Sequence, residues 1–184
     1  VTALINLLGP AKRIVAFTTK SFKERVAGHE NIKGQKIPVE VPTHYSGNIE
    51  FANGAVVNMI ASFDVYGHGH KPIEIYGTEG SIKVPDPNTF GGAVEVKVGR
   101  NDWKEIGFTH GYTENMRSIG AADLAYSIRN PGRDYRCKGE LALHALEIMT
   151  GFEKASDKGG VYELESTCKR TEALPMGLME GLLD

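Results

Sequence analysis

Thr43, Tyr45, Gly47, Ile49 and Phe51 alternate with His44, Ser46, Asn48 and Glu50, and a second run follows. In it Val57, Met59, Ala61, Phe63 and Val65 alternate with Asn58, Ser62 and Asp64. Period-two alternation sends one set to a buried face and the other toward solvent or a partner. Asn53-Gly54 lies between the runs and predicts a tight hairpin, because both residues accept positive φ. Upstream, Lys12 to Thr19 reads as a strand, and polar Ser21 to Pro38, with Gly28 and Gly34, reads as an exposed loop. Downstream, Ile73–Tyr76 and Ser81–Val84 flank the turn Gly77–Gly80. Val94, Val96 and Val98 then turn at residues 99–102 and return through Trp103 to Phe108. Successive hairpins of this kind predict an antiparallel meander. Asp64 and Glu74 fall on its outward positions.

The period then changes. Met116, Ile119, Ala122, Leu124, Ala125 and Ile128 predict a helix over 114–128, with Thr113 as N-cap and Pro131-Gly132 as its stop. A second helix is predicted over 140–156, where Leu141, Ala145, Ile148 and Phe152 form one stripe. Leu143, Leu146 and Met149 widen that stripe, which predicts a well-buried helix. Residues 161–164 read as an edge strand, and the tail from Ser166 has little periodicity. At the other end, Val1 to Leu8 reads as the last turns of a helix that Gly9-Pro10 stops. It has no polar lead-in, so the chain reads as a fragment of something longer. Strands followed by helices spell an α+β fold: a predominantly antiparallel, open-faced sheet with helices packed on one face, a two-layer sandwich. The open face carries mixed apolar and polar side chains, which suggests a partner.

Composition narrows the function classes. The 184 residues suit one domain of 1–165 with a tail of 166–184, and 41% hydrophobic with 24% charged residues is ordinary for a globular protein. With 21 basic against 23 acidic residues, neither clustered, nothing supports nucleic-acid or anionic-membrane binding. No apolar run reaches the roughly 20 residues that cross a bilayer, and a cytoplasmic location is the default expectation. Cys137 and Cys168 have no partners at metal-ligand spacing, and two free thiols are the plainer reading beside a disulfide.

Candidate chemistry is sparse. No G-x-G-x-x-G follows a strand and opens a helix, and there is no P-loop; Gly77-Thr78-Glu79-Gly80 joins two strands and reads as a turn. Gly67-His68-Gly69-His70 offers two zinc ligands on a loop, but nothing nearby completes a set of three or four. Loop histidines without a metal are the simpler reading. The densest constellation is Thr109-His110-Gly111-Tyr112-Thr113-Glu114-Asn115-Met116-Arg117, where the last strand hands over to a helix. His110, Tyr112, Asn115 and Arg117 supply donors and acceptors suited to vicinal hydroxyls or a carboxylate. The same residues also fit a plain helix start, with Thr113 capping, Glu114 meeting the dipole and Arg117 in a surface ion pair. No nucleophilic triad is arguable from spacing, and no catalytic residue is assigned.

Several stretches taken in order resemble the C-terminal domain of the glucose–fructose oxidoreductase / inositol dehydrogenase / MocA family. They are residues 4–10 (Leu-Ile-Asn-Leu-Leu-Gly-Pro), 47–55 (Gly-Asn-Ile-Glu-Phe-Ala-Asn-Gly-Ala), 73–81 (Ile-Glu-Ile-Tyr-Gly-Thr-Glu-Gly-Ser) and 86–90 (Asp-Pro-Asn-Thr-Phe). Glu114–Arg117, Gly120–Ala125 and Gly139–Ala142 continue the series, so that the likeness spans Val1 to about Glu165. The resemblance implies a parent enzyme that moves a hydride between NAD or NADP and a sugar or polyol. Its nucleotide would sit in an N-terminal Rossmann domain, and this sheet would form the substrate wall and the face of a homodimer. The family's Lys, of a Glu-Lys-Pro motif, and its Asp and His lie in segments this chain does not contain. The isolated chain is therefore expected to be inert and to bind no cofactor. On the same resemblance, Tyr66, His68 and His70 join His110, Tyr112, Asn115 and Arg117 as candidates for lining the substrate pocket. A non-catalytic dimerisation or carbohydrate-binding module is the alternative. The particular sugar and the choice of NAD or NADP are not readable.

Overall fold

The computed structural model describes residues 1–114 and 116–183. The chain forms two compact units, one of residues 1–67 and 139–170, the other of 68–138 and 171–184.

In the first unit, α1 (Thr2–Leu8) leads into β1 (Ala11–Thr19). The exposed segment predicted as loop is itself a small hairpin, β2 (Glu24–Val26) with β3 (Lys36–Pro38). Next come β4 (His44–Phe51) and β5 (Val56–Ser62), the hairpin expected from the alternation. Only Gly54 takes positive φ, at 90°. Asn53 instead accepts a bond from the Ala55 N–H (2.9 Å), and the Phe51 N–H to Ala55 O bond leaves a three-residue loop, 52–54. The sheet order is β10-β1-β4-β5, all antiparallel, where β10 (Tyr162–Glu163) is the predicted edge strand.

One face of this sheet is covered by α3 (Gly139–Lys158), whose Leu141, Ala145, Ile148 and Phe152 meet Ile14, Ile49 and Phe51; Ile5 of α1 joins the same core. Fully burying side chains of this size contributes roughly 1.5–3 kcal/mol each. The widening residues do not join them. Leu143 is 59% exposed, and Leu146 and Met149 are also exposed, because the buried stripe of the helix is 141, 144, 145, 148, 151, 152 and 155. Phe63 and Val65, expected inward, are exposed as well, since β5 ends at Ser62. On the uncovered face, cross-strand rows run Arg13–Glu50–Val56, Val15–Asn48–Asn58 and Phe17–Ser46–Ile60. Phe17 is 74% exposed and Ile60 58%.

Asp64, expected outward, is held just after β5. It accepts from Thr43 Oγ1 and Ser21 Oγ, both at 2.7 Å, and pairs with Arg25 of β2. The Thr43 hydroxyl foremost, with Ser21 and Arg25, lowers its carboxyl below the ordinary value against the opposing effect of burial.

A buried polar relay ties α3 to the sheet. The fully buried His144 accepts the Ala11 N–H on Nε2 (2.9 Å), which leaves Nδ1 to donate to Ser166 Oγ (2.9 Å). The Ser166 hydroxyl then donates to Glu147. Glu147 also accepts the N–H groups of Ser166 (2.7 Å) and Glu165 (2.8 Å) and the Tyr162 hydroxyl (3.1 Å). Burial pushes the His144 pKa down. For Glu147 burial works against the charge, but the donors from Glu165, Ser166 and Tyr162 prevail and bring its carboxyl to about 2.

The second unit holds the four-stranded meander β6 (Ile73–Tyr76), β7 (Gly80–Val84), β8 (Val94–Val98) and β9 (Lys104–Ile106), antiparallel in that order. The predicted hairpins are thus present but divided between two sheets. α2 (Ile119–Arg129) begins five residues later than the apolar spacing suggested. Ser118, at φ 79°, is the residue before its first turn, and its left-handed backbone cannot continue a helix from 114. Both cysteines are free, Cys168 buried and Cys137 exposed. Among the described residues no helix is long and apolar enough to cross a membrane.

The Glu147 carboxylate gives a pH prediction. Its folded pKa lies below the ordinary 4.5, so its stabilisation is complete above pH 4.5 and drains away as pH falls toward 2. Glu147→Gln should lower stability at pH 7 by about 1–3 kcal/mol and flatten the fall between those pH values. Urea unfolding at pH 7, 4 and 3 measures both, and parallel curves for the two proteins would refute the assignment.

Candidate functional site

In the second unit, the segment after β9 lines a shallow, open cleft of about 310 Å³. Phe90, Val94, Ile106 and Phe108 supply apolar walls; Thr109, His110 and Thr113 supply polar groups. The wall at Phe90 is built locally. Asp86 caps the 3₁₀ turn Pro87–Thr89 by accepting the Asn88 N–H (2.9 Å), and Phe90 follows in the left-handed region at φ 68°. Gly91 then packs against the Thr113 carbonyl so closely that a Cβ would overlap it.

The expected site residues meet different fates. His110 is exposed at the cleft, with Nδ1 at 2.9 Å from Thr109 Oγ1. Arg117 donates through Nη2 to Asn88 Oδ1 (2.9 Å) and O (3.3 Å), which ties the loop to the 3₁₀ turn. The Tyr112 hydroxyl is engaged twice, donating to Leu182 O (2.6 Å) and accepting from Gly181 N (2.9 Å). Asn115 lies outside the described residues. His68 and His70 are exposed, with ring centroids 6.2 Å apart, and are not among the residues lining the cleft; Tyr66 is fully exposed. Among the described residues no cluster of three or more His, Cys, Asp or Glu is arranged to hold a metal.

Two kinds of residue escaped the sequence. Phe108 read only as the end of a strand and Phe90 only as the last residue of the 86–90 stretch, where the Asp-Pro-Asn turn was the one advance signal. Asp123, in the middle of α2, is 3% exposed and organises the unit's charged hub. Its Oδ1 accepts from Arg136 Nη1 (2.6 Å) and Arg133 Nη2 (3.0 Å), and its Oδ2 accepts the Arg136 N–H (2.6 Å). Arg133 also stacks on Tyr126 at 5.0 Å.

The dinucleotide implied by the resemblance does not fit these residues. Gly77–Gly80 joins antiparallel β6 and β7 and opens no helix, so it presents no helix N-terminus to a pyrophosphate.

The family model described as the GFO/IDH/MocA C-terminal domain matches residues 1–83. No curated protein matches. Among solved structures, apo levoglucosan dehydrogenase is 20% identical with a TM-score of 0.72, over 91% of this chain and 49% of its own. An NAD binding oxidoreductase from Klebsiella pneumoniae is 17% identical with a TM-score of 0.66, over 88% and 48%. An aldose-aldose oxidoreductase from Caulobacter crescentus, complexed with glycerol, is 18% identical with a TM-score of 0.65, over 89% and 44%. At these identities the likeness is one of fold, and the chain spans about half the length of the structures it matches.

Removing the carboxylate at the hub should cost heavily, because two arginines would lose their shared partner in a mostly buried setting. Asp123→Ala is expected to destabilise the chain by about 3–5 kcal/mol, read as a shift in urea midpoint. A change under about 0.5 kcal/mol, the scale of an ordinary surface substitution, would show the hub to be dispensable.

Residues 1–83 thus match the GFO/IDH/MocA C-terminal domain, and the chain has the fold of that domain as seen in the oxidoreductases it resembles.

Proposed function

We propose that this chain is the substrate-binding and dimerisation domain, 1–165 with its tail 166–184, of a nicotinamide-dependent oxidoreductase acting on a sugar or polyol. The observation that carries the proposal is the cleft beside His110, set in the fold of the family's C-terminal domain. Aromatic and aliphatic side chains beside a few polar groups suit a sugar ring, whose C–H faces pack on aromatics while its hydroxyls take hydrogen bonds. His110 offers one ring nitrogen to a hydroxyl, and Arg117 stands on the same loop with its Nη2 spent on Asn88. Tyr66, His68, His70 and Asn115 are proposed as further ligand groups on their loop position and polar type, given the family resemblance. Levoglucosan dehydrogenase has been solved with NADH and levoglucosan, and with NADH and L-sorbose, which supports the substrate class. NAD or NADP would be held by a separate Rossmann domain, and this chain alone would neither bind nucleotide nor turn over substrate. A cytoplasmic location accords with free thiols.

The uncovered sheet face carries the dimer proposal: Phe17, Val56 and Ile60 leave apolar surface among Asn48, Asn58 and the Arg13–Glu50 pair (2.6 Å).

In the full-length oxidoreductase, His110→Ala should raise KM for the sugar about tenfold, the worth of one hydrogen bond. Unchanged KM and kcat would remove the cleft from the site. Calorimetric titration of the 184-residue chain with NADH is expected to give no binding heat, and tight binding would overturn the division of labour. Phe17→Asp should halve the mass seen by light scattering; a wild-type protein that is already monomeric would refute the dimer.

A further inference from the structure

The loop that lines the cleft is bonded on to residues 177–182. Gly177 N donates to Thr109 O at 2.9 Å. Leu178 O lies so close to Gly111 that a Cβ at 111 would overlap it, which leaves glycine as the residue that fits. One position further on, Tyr112 sits at φ 60°, a left-handed conformation that a bulky side chain adopts only when its surroundings hold it there. What holds it is the tail. The hydroxyl donates its one proton to Leu182 O and accepts the N–H of Gly181. Leu183 is buried, and its carbonyl accepts from Arg133 Nη2 at 3.1 Å. At the start of the tail, Arg136 donates to Glu172 O (3.2 Å), and the Thr171 hydroxyl donates to Arg136 O (3.4 Å). Both arginines are fixed in turn by Asp123.

We infer that residues 171–183 form a strap that sets the conformation of the Thr109–Thr113 loop. Tyr112 is then a positioning residue, which fixes where His110 stands instead of touching ligand itself. Three residues of the loop, 109, 111 and 112, each meet a different point of the strap. The loop therefore cannot shift without breaking several of these contacts together. The effect on ligand binding rests on the cleft assignment above; the coupling of strap and loop does not.

The test uses Tyr112→Phe, which deletes both hydroxyl bonds and keeps the ring, and Gly111→Ala, which forces Leu178 away. Amide hydrogen exchange at 109–113 and at 177–183 is expected to rise together, by about tenfold for one hydrogen-bond pair lost. The His110 Cε1–H resonance should move as well, while exchange in β7 and β8 stays as in the wild type. A strap that loosens while 109–113 and the His110 resonance stay unchanged would overturn the inference, as would no change anywhere. In the full-length oxidoreductase, Tyr112→Phe is expected to raise KM for levoglucosan or L-sorbose with kcat nearly unchanged. If His110→Ala leaves KM alone while exchange still couples the two segments, the cleft assignment falls and the strap stands. If His110→Ala raises KM and exchange shows no coupling, the strap falls and the cleft stands.

Discussion

His144 has no contact with water, and both of its ring nitrogens are spoken for: one by the amide that begins β1, the other by the serine that follows β10. An imidazole accepting on Nε2 must carry its proton on Nδ1, so the Ala11 N–H fixes the tautomer and the tautomer fixes the direction of the whole relay. The relay ends on a carboxylate with enough donors around it to stay charged against burial. Apolar packing between α3 and the sheet supplies more free energy, but packing alone tolerates sliding. Directed bonds from one helix to two strands permit a single registration of α3 over Ile14 and Ile49.

The second unit solves the equivalent problem with charge. α2 carries few apolar residues inward, and its buried group is Asp123. Two arginines from the segment after the helix converge on that carboxylate and extend onward to backbone carbonyls of the tail. Removing the shared carboxylate would strip both largely buried arginines of an acceptor that fixes them. Through this hub the order of α2 reaches the strap, and through the strap it reaches the loop that carries His110. Cleft and hub are therefore parts of one hydrogen-bonded construction, and both contain residues that a search for catalytic motifs passes over.

Much of this was readable in advance. The β4–β5 hairpin, the meander and α3 follow from period two, period 3.6 and a glycine at one turn, all local signals. Where expectation and structure part, the cause is distant in sequence. The start of α2 is set by Ser118 at positive φ and by Arg117 reaching Asn88, neither of which an apolar spacing encodes. The apolar residues at 143, 146 and 149 looked like core because composition cannot say how wide a face the sheet covers. Tyr112 had the chemistry of a sugar ligand, yet its hydroxyl is taken by a segment seventy residues away.

The sequence by itself determined the α+β class, the hairpins, the long helix and the family resemblance, because each depends on short-range periodicity or on ordered local motifs. Tertiary structure alone decided which polar residues are free to meet a ligand. The tail binds through backbone carbonyls and N–H groups, which every residue owns, so no side-chain pattern announces its path. His110 lines the cleft while the Tyr112 hydroxyl is bonded to Gly181 and Leu182, contacts that form only once residues 171–183 have folded back onto their unit.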